Sequence, residues 1–354
     1  QKPSKNLASF CIESMERFPQ SSPLSLSASA AALLVMMGAH EALIQVADYV
    51  AQNSPPNMSF RDLLHYDMFA GARNMQRVYC REGMRSDYMD ITVRIDDDIC
   101  STVGFISAVP CILKLKPLAL ATIGLPCGSF VWINSATSKR SQICPYGNED
   151  LPHVAKGNKI AARVCLLLLL LTARRVFFMI EQPFSSKLAL LPLVRDVFDM
   201  IREIMPLHRV FFWMGNYGHF SCKGSLAYSN LPFIGRLAKT LSRTRRERLR
   251  LSSDGVVTRK VRRGRVAVTG DRLLKKTQEY PRKFCKKILR LHLKSVEQHG
   301  KTIQKKMDSA PKLLLEKRKV AAAPDWSRAD MDDIVQFLRV EQLMGRYDPV
   351  AEGL

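Results

Sequence analysis

The sequence predicts an α/β protein, a Rossmann-like and mostly parallel sheet with a basic C-terminal extension. Three observations carry this. Between about residues 58 and 214, short apolar or β-branched runs alternate with longer helical periods. A glycine turn, a Pro-Cys turn and a lone carboxylate follow three of those runs, at the carboxyl ends of strands, where such sheets bind their ligands. Positive charge then accumulates: residues 231–320 hold 28 Lys and Arg against 7 Asp and Glu, nearly the whole excess of a chain whose net charge is +22.

Residues 1–57 read as a leader, partly helical or disordered, with a helix running to about Ala51 and stopped at Asn53-Ser54-Pro55-Pro56. The Rossmann-like domain is expected over 58–230. Its strands are Leu63 to Phe69, Ser86 to Val93, Leu118 to Ile123, Val176 to Ile180 and Arg209 to Met214. Its helices are Arg73 to Glu82, 102–116 with a bend at Pro110, Lys156 to Ala173, and 187–204. In 231–320, Gly255, Gly264 and Gly270 space the runs Val256-Val257-Thr258 and Val266-Ala267-Val268 into a small hairpin, and a basic helix follows from Pro281 to Lys294. This extension is expected to add charge rather than core strands, so that its removal spares the sheet. Residues 321–354 form an acidic tail with a short amphipathic helix from Ser327 to Leu343.

The run Cys165 to Leu171 sits between Arg163 and Arg174-Arg175. That leaves about half of the roughly 20 apolar residues a bilayer demands, so it reads as a core helix. Nine cysteines are scattered without a Cys-x-x-Cys pair, against a disulfide framework or zinc ribbon and in keeping with a reducing intracellular compartment. The concentrated charge points to a polyanion, with nucleic acid the first candidate and a solvated tail the alternative. Its candidate contacts are Arg243, Arg245, Arg246, Arg248, Arg250, Arg262, Arg263 and Arg265.

Cys127, between Pro126 and Gly128, reads either as a nucleophile on a tight turn or as a small turn residue. Glu181 ends an apolar run, where an unused carboxylate would be costly. Asp96 and Asp97 read as a solvated turn, with no histidine beside them to suggest a metal. His153 and His219 read as surface or satisfied histidines. Trp132 and Trp213 read as core, Trp132 having the alternative of stacking on a base.

Taken in order, Asp67-Met68-Phe69-Ala70-Gly71, Leu125-Pro126-Cys127-Gly128-Ser129-Phe130 and Glu181-Gln182-Pro183 resemble the motifs of the cytosine-C5 DNA methyltransferase family. The resemblance spans roughly 60–225, and Gln278 to Phe284 echoes the family's closing segment. It implies a class I methyltransferase fold and S-adenosylmethionine as cofactor, held by Phe69, Gly71, Asp90, Asp98 and Ile99. It also implies Cys127 as nucleophile, Glu181 on the base, DNA ahead of RNA as partner, and a nuclear location. Departures are Arg73 for the family's second glycine, Gln182-Pro183 for Asn-Val, and Lys223 and Ser225 at the offsets of Arg-x-Arg. These leave open a catalytically inactive, nucleic-acid-binding protein of this fold, with a transposon origin among the alternatives. The elements Cys-Gly-Ser-Phe, Glu-Gln-Pro-x-Ser-Ser and Phe-Trp-Met-Gly-x-Tyr-Gly also look like those of an uncharacterised, much-duplicated protist family.

Overall fold

A computed structural model describes residues 26–53, 63–253, 256–262, 265–270, 272–317 and 324–343. Helices α1 (Ala28–Met36) and α2 (Glu41–Asn53) precede the sheet. The main succession is then β1 (Leu63–Met68), α3 (Asn74–Arg81), β2 (Ser86–Met89), α4 (Thr102–Leu113), β3 (Leu115–Ile123), α5 (Pro152–Ala173), β4 (Phe177–Pro183), α6 (Pro192–Ile204), β5 (His208–Trp213) and β6 (Gly224–Ser229). After it come α7 (Arg243–Ser252), the hairpin β7 (Val257–Arg262) and β8 (Arg265–Gly270), α8 (Arg282–Lys317) and α9 (Asp332–Leu343). The expected leader stop at Pro55-Pro56 and residues Gly255, Arg263 and Gly264 lie outside the described residues.

The six strands lie in the order β2-β1-β3-β4-β6-β5. β1 pairs in parallel with β2 and β3, and β3 with β4; β6 runs antiparallel to both β4 and β5. The α/β class and mostly parallel sheet therefore match the expectation. β6 escaped notice because Gly-Ser-Leu-Ala-Tyr-Ser is weak in β-branched residues. Its place between β4 and β5 supplies the pairing it lacks in propensity.

Successive side chains alternate between two cores. On β4, Phe178 and Ile180 join the core with α1, α2, α4, α5, α6 and α9, while Phe177 and Met179 join the other with α3 and α8. Leu166 to Leu171 are all buried because α5 lies between sheet and outer helices. No described helix is long and apolar enough to cross a membrane.

The basic segment departs from expectation at α8. Phe284, Cys285, Ile288, Leu289, Leu291, Leu293 and Val296 are buried against Leu120, Phe177, Met179 and Phe212 of the sheet. The segment adds no strand to the six-stranded sheet, but it supplies 10 of the 24 buried residues of one core. Polar bonds fasten the same helix. β3 begins three residues earlier than expected and bulges, its register with β1 slipping between Leu63 and His65. In the bulge Leu118 takes φ +68°, and its carbonyl accepts from His292 Nε2 at 2.8 Å. The other ring nitrogen of His292 lies 3.0 Å from the Tyr79 hydroxyl.

Arg163 shows why a cation can sit in a leucine run. Its buried guanidinium donates to the carbonyls of Ile99, Ser101, Ala329 and Asp330 and to Asp333 Oδ1. It thereby ties the loop before α4 to the tail before α9. A single 3-10 turn, Ser327–Ala329, opens at the expected start, and the α-helix follows only from Asp332 because Asp330 adopts φ +49° between them.

Candidate active site

The ends of β1, β2, β3 and β4 carry the expected motifs to one rim of the sheet. After β1 the chain turns through Phe69 (φ +60°), Gly71 (φ +50°) and Arg73 (φ +55°). A Cβ on Gly71 would meet nothing within 4 Å, so glycine is demanded there by backbone conformation and not by space. Arg73 occupies a left-handed position where glycine costs less, which accounts for the family's preference at that point. Its guanidinium lies over Tyr88, 4.9 Å from the ring centre and 3.0 Å from the hydroxyl.

Asp90 clasps two turns together. Its Oδ2 accepts from Gly71 N–H at 2.6 Å, and Oδ1 accepts from Thr92 N–H at 2.8 Å. Asp97 is buried, contrary to the expectation of a solvated turn. Its carboxylate accepts the Asp90 N–H at 2.8 Å and pairs with Arg94. Beside this loop lies a cavity of about 370 Å³, lined among others by Phe69, Ile91, Asp98, Ile99, Pro126 and Lys156. Three of the five expected cofactor residues, Phe69, Asp98 and Ile99, thus line one space. Gly71 and Asp90 do not line it and instead fix its turn. Asp98 pairs with Lys156 at 2.8 Å. Burial raises its carboxyl, but the Lys156 hydrogen bond, the Cys100 N–H and the charges of Lys156 and Arg163 together hold it below the ordinary range.

Cys127 follows β3 on a turn closed by Phe130 N–H donating to its carbonyl at 2.9 Å. Two neighbours hold that turn. Arg140, buried and stacked 4.2 Å over Phe130, donates to the carbonyl and hydroxyl of Ser129. Gln182 donates to the Leu125 carbonyl at 2.7 Å, so the residue that departs from the family's Asn ties the cysteine turn to the strand bearing Glu181. Pro126 and Gly128 line the cavity, which therefore reaches both flanks of the cysteine.

Glu181 is buried. Lys223 Nζ stands 3.4 Å from its Oε1, and the Tyr280 hydroxyl donates to Oε2 at 3.4 Å. The Lys223 approach is an attraction of charges rather than a formed hydrogen bond, since Oε1 has no hydrogen-bond partner. Burial pushes the Cys127 thiol up, the Lys223 ammonium opposes this and Glu181 adds to it. The three groups therefore share one electrostatic neighbourhood. Lys223 marks one of the offsets where the family carries arginine, and it returns a cation to the carboxylate. Tyr280 was not singled out; the only signal was its place in the segment resembling the family's closing motif.

Removing Lys223 should strand a buried carboxylate. Lys223→Met is expected to cost about 3–5 kcal/mol, and Glu181→Gln in the same chain to restore most of it. Urea unfolding of both variants checks this. Equal loss in single and double variants would show that the pair is not coupled.

Behind the rim, Asp67 is buried with its Oδ1 accepting from Thr122 at 2.8 Å, and His65 bridges Thr122 and Ser86. Burial pushes Asp67 up to about 7, against the hydrogen bonds from Thr122 and Gln76 that lower it. Unfolded, it releases its proton near 3.8. Its contribution is complete below that value and is lost as pH rises toward 7, at about 1.4 kcal/mol per pH unit. Asp67→Asn should remove this slope and stabilise the protein at neutral pH, as measured by urea unfolding across the interval. An unchanged slope would exclude Asp67 as its source.

Other expected residues separate from this cluster. Trp132 is 65 % exposed beside the cysteine turn and not core. Trp213 packs on Phe211 and under Arg246. His153 lines the cavity, and His219 is a satisfied buried histidine facing Ser221 and the Thr277 carbonyl. Arg243, Arg245, Arg246, Arg248 and Arg250 lie on α7, a helix the sequence did not suggest. Arg245 is engaged by the Gly215 carbonyl, and Arg243 is paired with Glu247. Arg262 and Arg265 are register partners at the hairpin's turn end. No family model matches the chain, and no curated protein matches its sequence.

Proposed function

We propose that the chain transfers a methyl group from S-adenosylmethionine to cytosine C5 of a nucleic acid, DNA ahead of RNA. The observation that carries this reading is Glu181 Oε1, a buried carboxylate oxygen lacking a hydrogen-bond partner, beside a cysteine on a held turn and an ammonium. Such an atom is costly unless a ligand completes it. The exocyclic amine of an extruded cytosine offers the missing donor.

The residues around the cavity suit the cofactor. Ile91 and Ile99 offer apolar walls for a purine, and Asp98 offers a polar edge. When bound, S-adenosylmethionine supplies an electrophilic methyl group. Cys127 Sγ would bond to cytosine C6 as its proton passes to water, and the C5–C6 π pair would move to C5. Glu181 would hold the amine edge, and Lys223 would offset the negative charge that develops on the ring. With the methyl group on C5, loss of the C5 proton to water would re-form the C5–C6 double bond, and the Sγ–C6 pair would leave with sulfur, restoring the cysteine.

Titration calorimetry with S-adenosylmethionine tests the cofactor half. Binding is expected, and Asp90→Ala should weaken it by about 1.5–3 kcal/mol, since the Gly71 turn loses its clasp. No heat and no thermal shift at saturating cofactor would remove the proposal. A second reading, an inactive protein of this fold that binds nucleic acid, is favoured by one observation: burial pushes the Cys127 thiol up from its ordinary value, away from the thiolate that attack requires.

A further inference from the structure

Among the described residues, a second group of cations stands apart from the arginines of α7. On α8, Lys283, Lys287, Arg290 and Lys294 recur at i, i+4, i+7 and i+11, one stripe along the helix, while Phe284, Ile288, Leu291 and Ser295 on the other side are buried. Phe233 anchors the stripe from the neighbouring turn. Arg236 lies 4.5 Å and the Lys294 ammonium 5.3 Å from its ring centre, and His299 packs at 5.1 Å. Lys239 completes the group. Among the described residues none of Arg236, Lys239, Lys287, Arg290 and Lys294 forms an ion pair with an acid. Burial, and then the charges of Lys239, Arg236, Arg290 and Lys294, lower the Lys287 ammonium from its ordinary value. Five like charges held together cost free energy that a bound anion would return.

The stripe also has a direction. At its start the Lys283 side chain lies alongside Gly218, and Tyr280, three residues earlier, reaches Glu181. From Lys283 to Lys294 the helix leads about 16 Å away from the rim.

We propose that this face, Arg236, Lys239, Lys287, Arg290 and Lys294 around Phe233, is a docking track for the phosphodiester backbone of a polynucleotide whose end enters the Cys127 site. The inference rests on the nucleic-acid half of the proposed function and locates it on a surface other than the α7 arginines. A line of cations one helical turn apart suits a chain of phosphates. A membrane surface would be met by apolar side chains as well, and none of the exposed large hydrophobics lies on the track.

The test is fluorescence anisotropy of the full chain with a labelled single-stranded oligonucleotide, without cofactor, across about 50–200 mM salt. Lys287→Gln/Arg290→Gln/Lys294→Gln is expected to weaken binding roughly tenfold or more at the low end and to reduce the salt slope by about 2. The control Arg195→Gln/Arg202→Gln/Arg209→Gln removes as many cations elsewhere, all at exposed positions, and should match the wild type. Circular dichroism verifies folding; if the triple variant fails that check, Arg290→Gln alone, at an exposed position, should still lower the slope by about 0.7. Wild-type behaviour of the α8 variants, or an equal loss in the control, overturns the track. So does competition by phosphatidylserine vesicles as strong as that by unlabelled oligonucleotide. Because the assay involves neither cofactor nor methyl transfer, failure here is distinguishable from failure of the catalytic reading.

Discussion

Cys127→Ser is expected to reduce methyl transfer to an oligonucleotide by roughly 10⁴-fold or more, while leaving cofactor binding and thermal stability near wild type. The size follows from the chemistry. Cytosine C5 is a poor nucleophile until a thiolate adds to C6, and a serine hydroxyl in a half-buried site with no base beside it cannot substitute. The stability half follows from the turn, which is held by Arg140, Ser129 and Gln182 rather than by the thiol. Transfer of radiolabelled methyl, with calorimetry on the same preparation, measures both. Undiminished transfer by the serine variant would point to an acceptor other than C5, such as an exocyclic amine, which needs no covalent step. Absent transfer by both forms, with oligonucleotide binding intact, would favour the inactive reading.

A chain ending at Pro281 is expected not to fold, and Phe284→Ala alone to lose about 3–5 kcal/mol. Phe284 stacks on Phe212 at 5.4 Å and meets Tyr217 edge-on at 5.9 Å, in the middle of the second core. Each large buried side chain of α8 contributes about 1.5–3 kcal/mol, so losing the whole buried row is comparable with the roughly 5–15 kcal/mol that holds a typical domain together. Circular dichroism and urea unfolding decide the matter. A cooperative transition in the truncated chain would return α8 to the status of an appendage. The burial of α8 in the second core argues against reading 231–320 as dispensable charge.

How far the sequence could be read depended on where the deciding force lay. β3, β4 and α5 were legible because they carry apolar runs flanked by turn residues, and Cys165 to Leu171 is too short to span a bilayer. β6 was not legible, since its strand state is imposed by β4 and β5 on either side. The buried row of α8 was hidden by its own lysines: charge dominated the composition, although every third or fourth residue was apolar. At the site, the motif residues fell near the sheet rim, with Phe69, Asp98 and Ile99 on the cavity. Lys223 was noticed only as a missing arginine, because its nearness to Glu181 depends on β5, β6 and the loop between them. Tyr280 comes from a segment nearly 100 positions after Glu181, a separation no local pattern can span.

The five bonds of Arg163 have a consequence for the order in which the protein can be made. Synthesis proceeds from the N-terminus, and the Ile99 to Ser101 loop emerges long before Ala329, Asp330 and Asp333. Until those last residues leave the ribosome, a buried guanidinium in the middle of α5 lacks most of its acceptors, and the wall of the cavity beside Asp98 has nothing to brace it. The nascent chain can collapse but cannot finish. The cavity wall is completed only when the segment holding Ala329, Asp330 and Asp333 arrives, and until then the leucine-rich helix stays open to aggregation during translation.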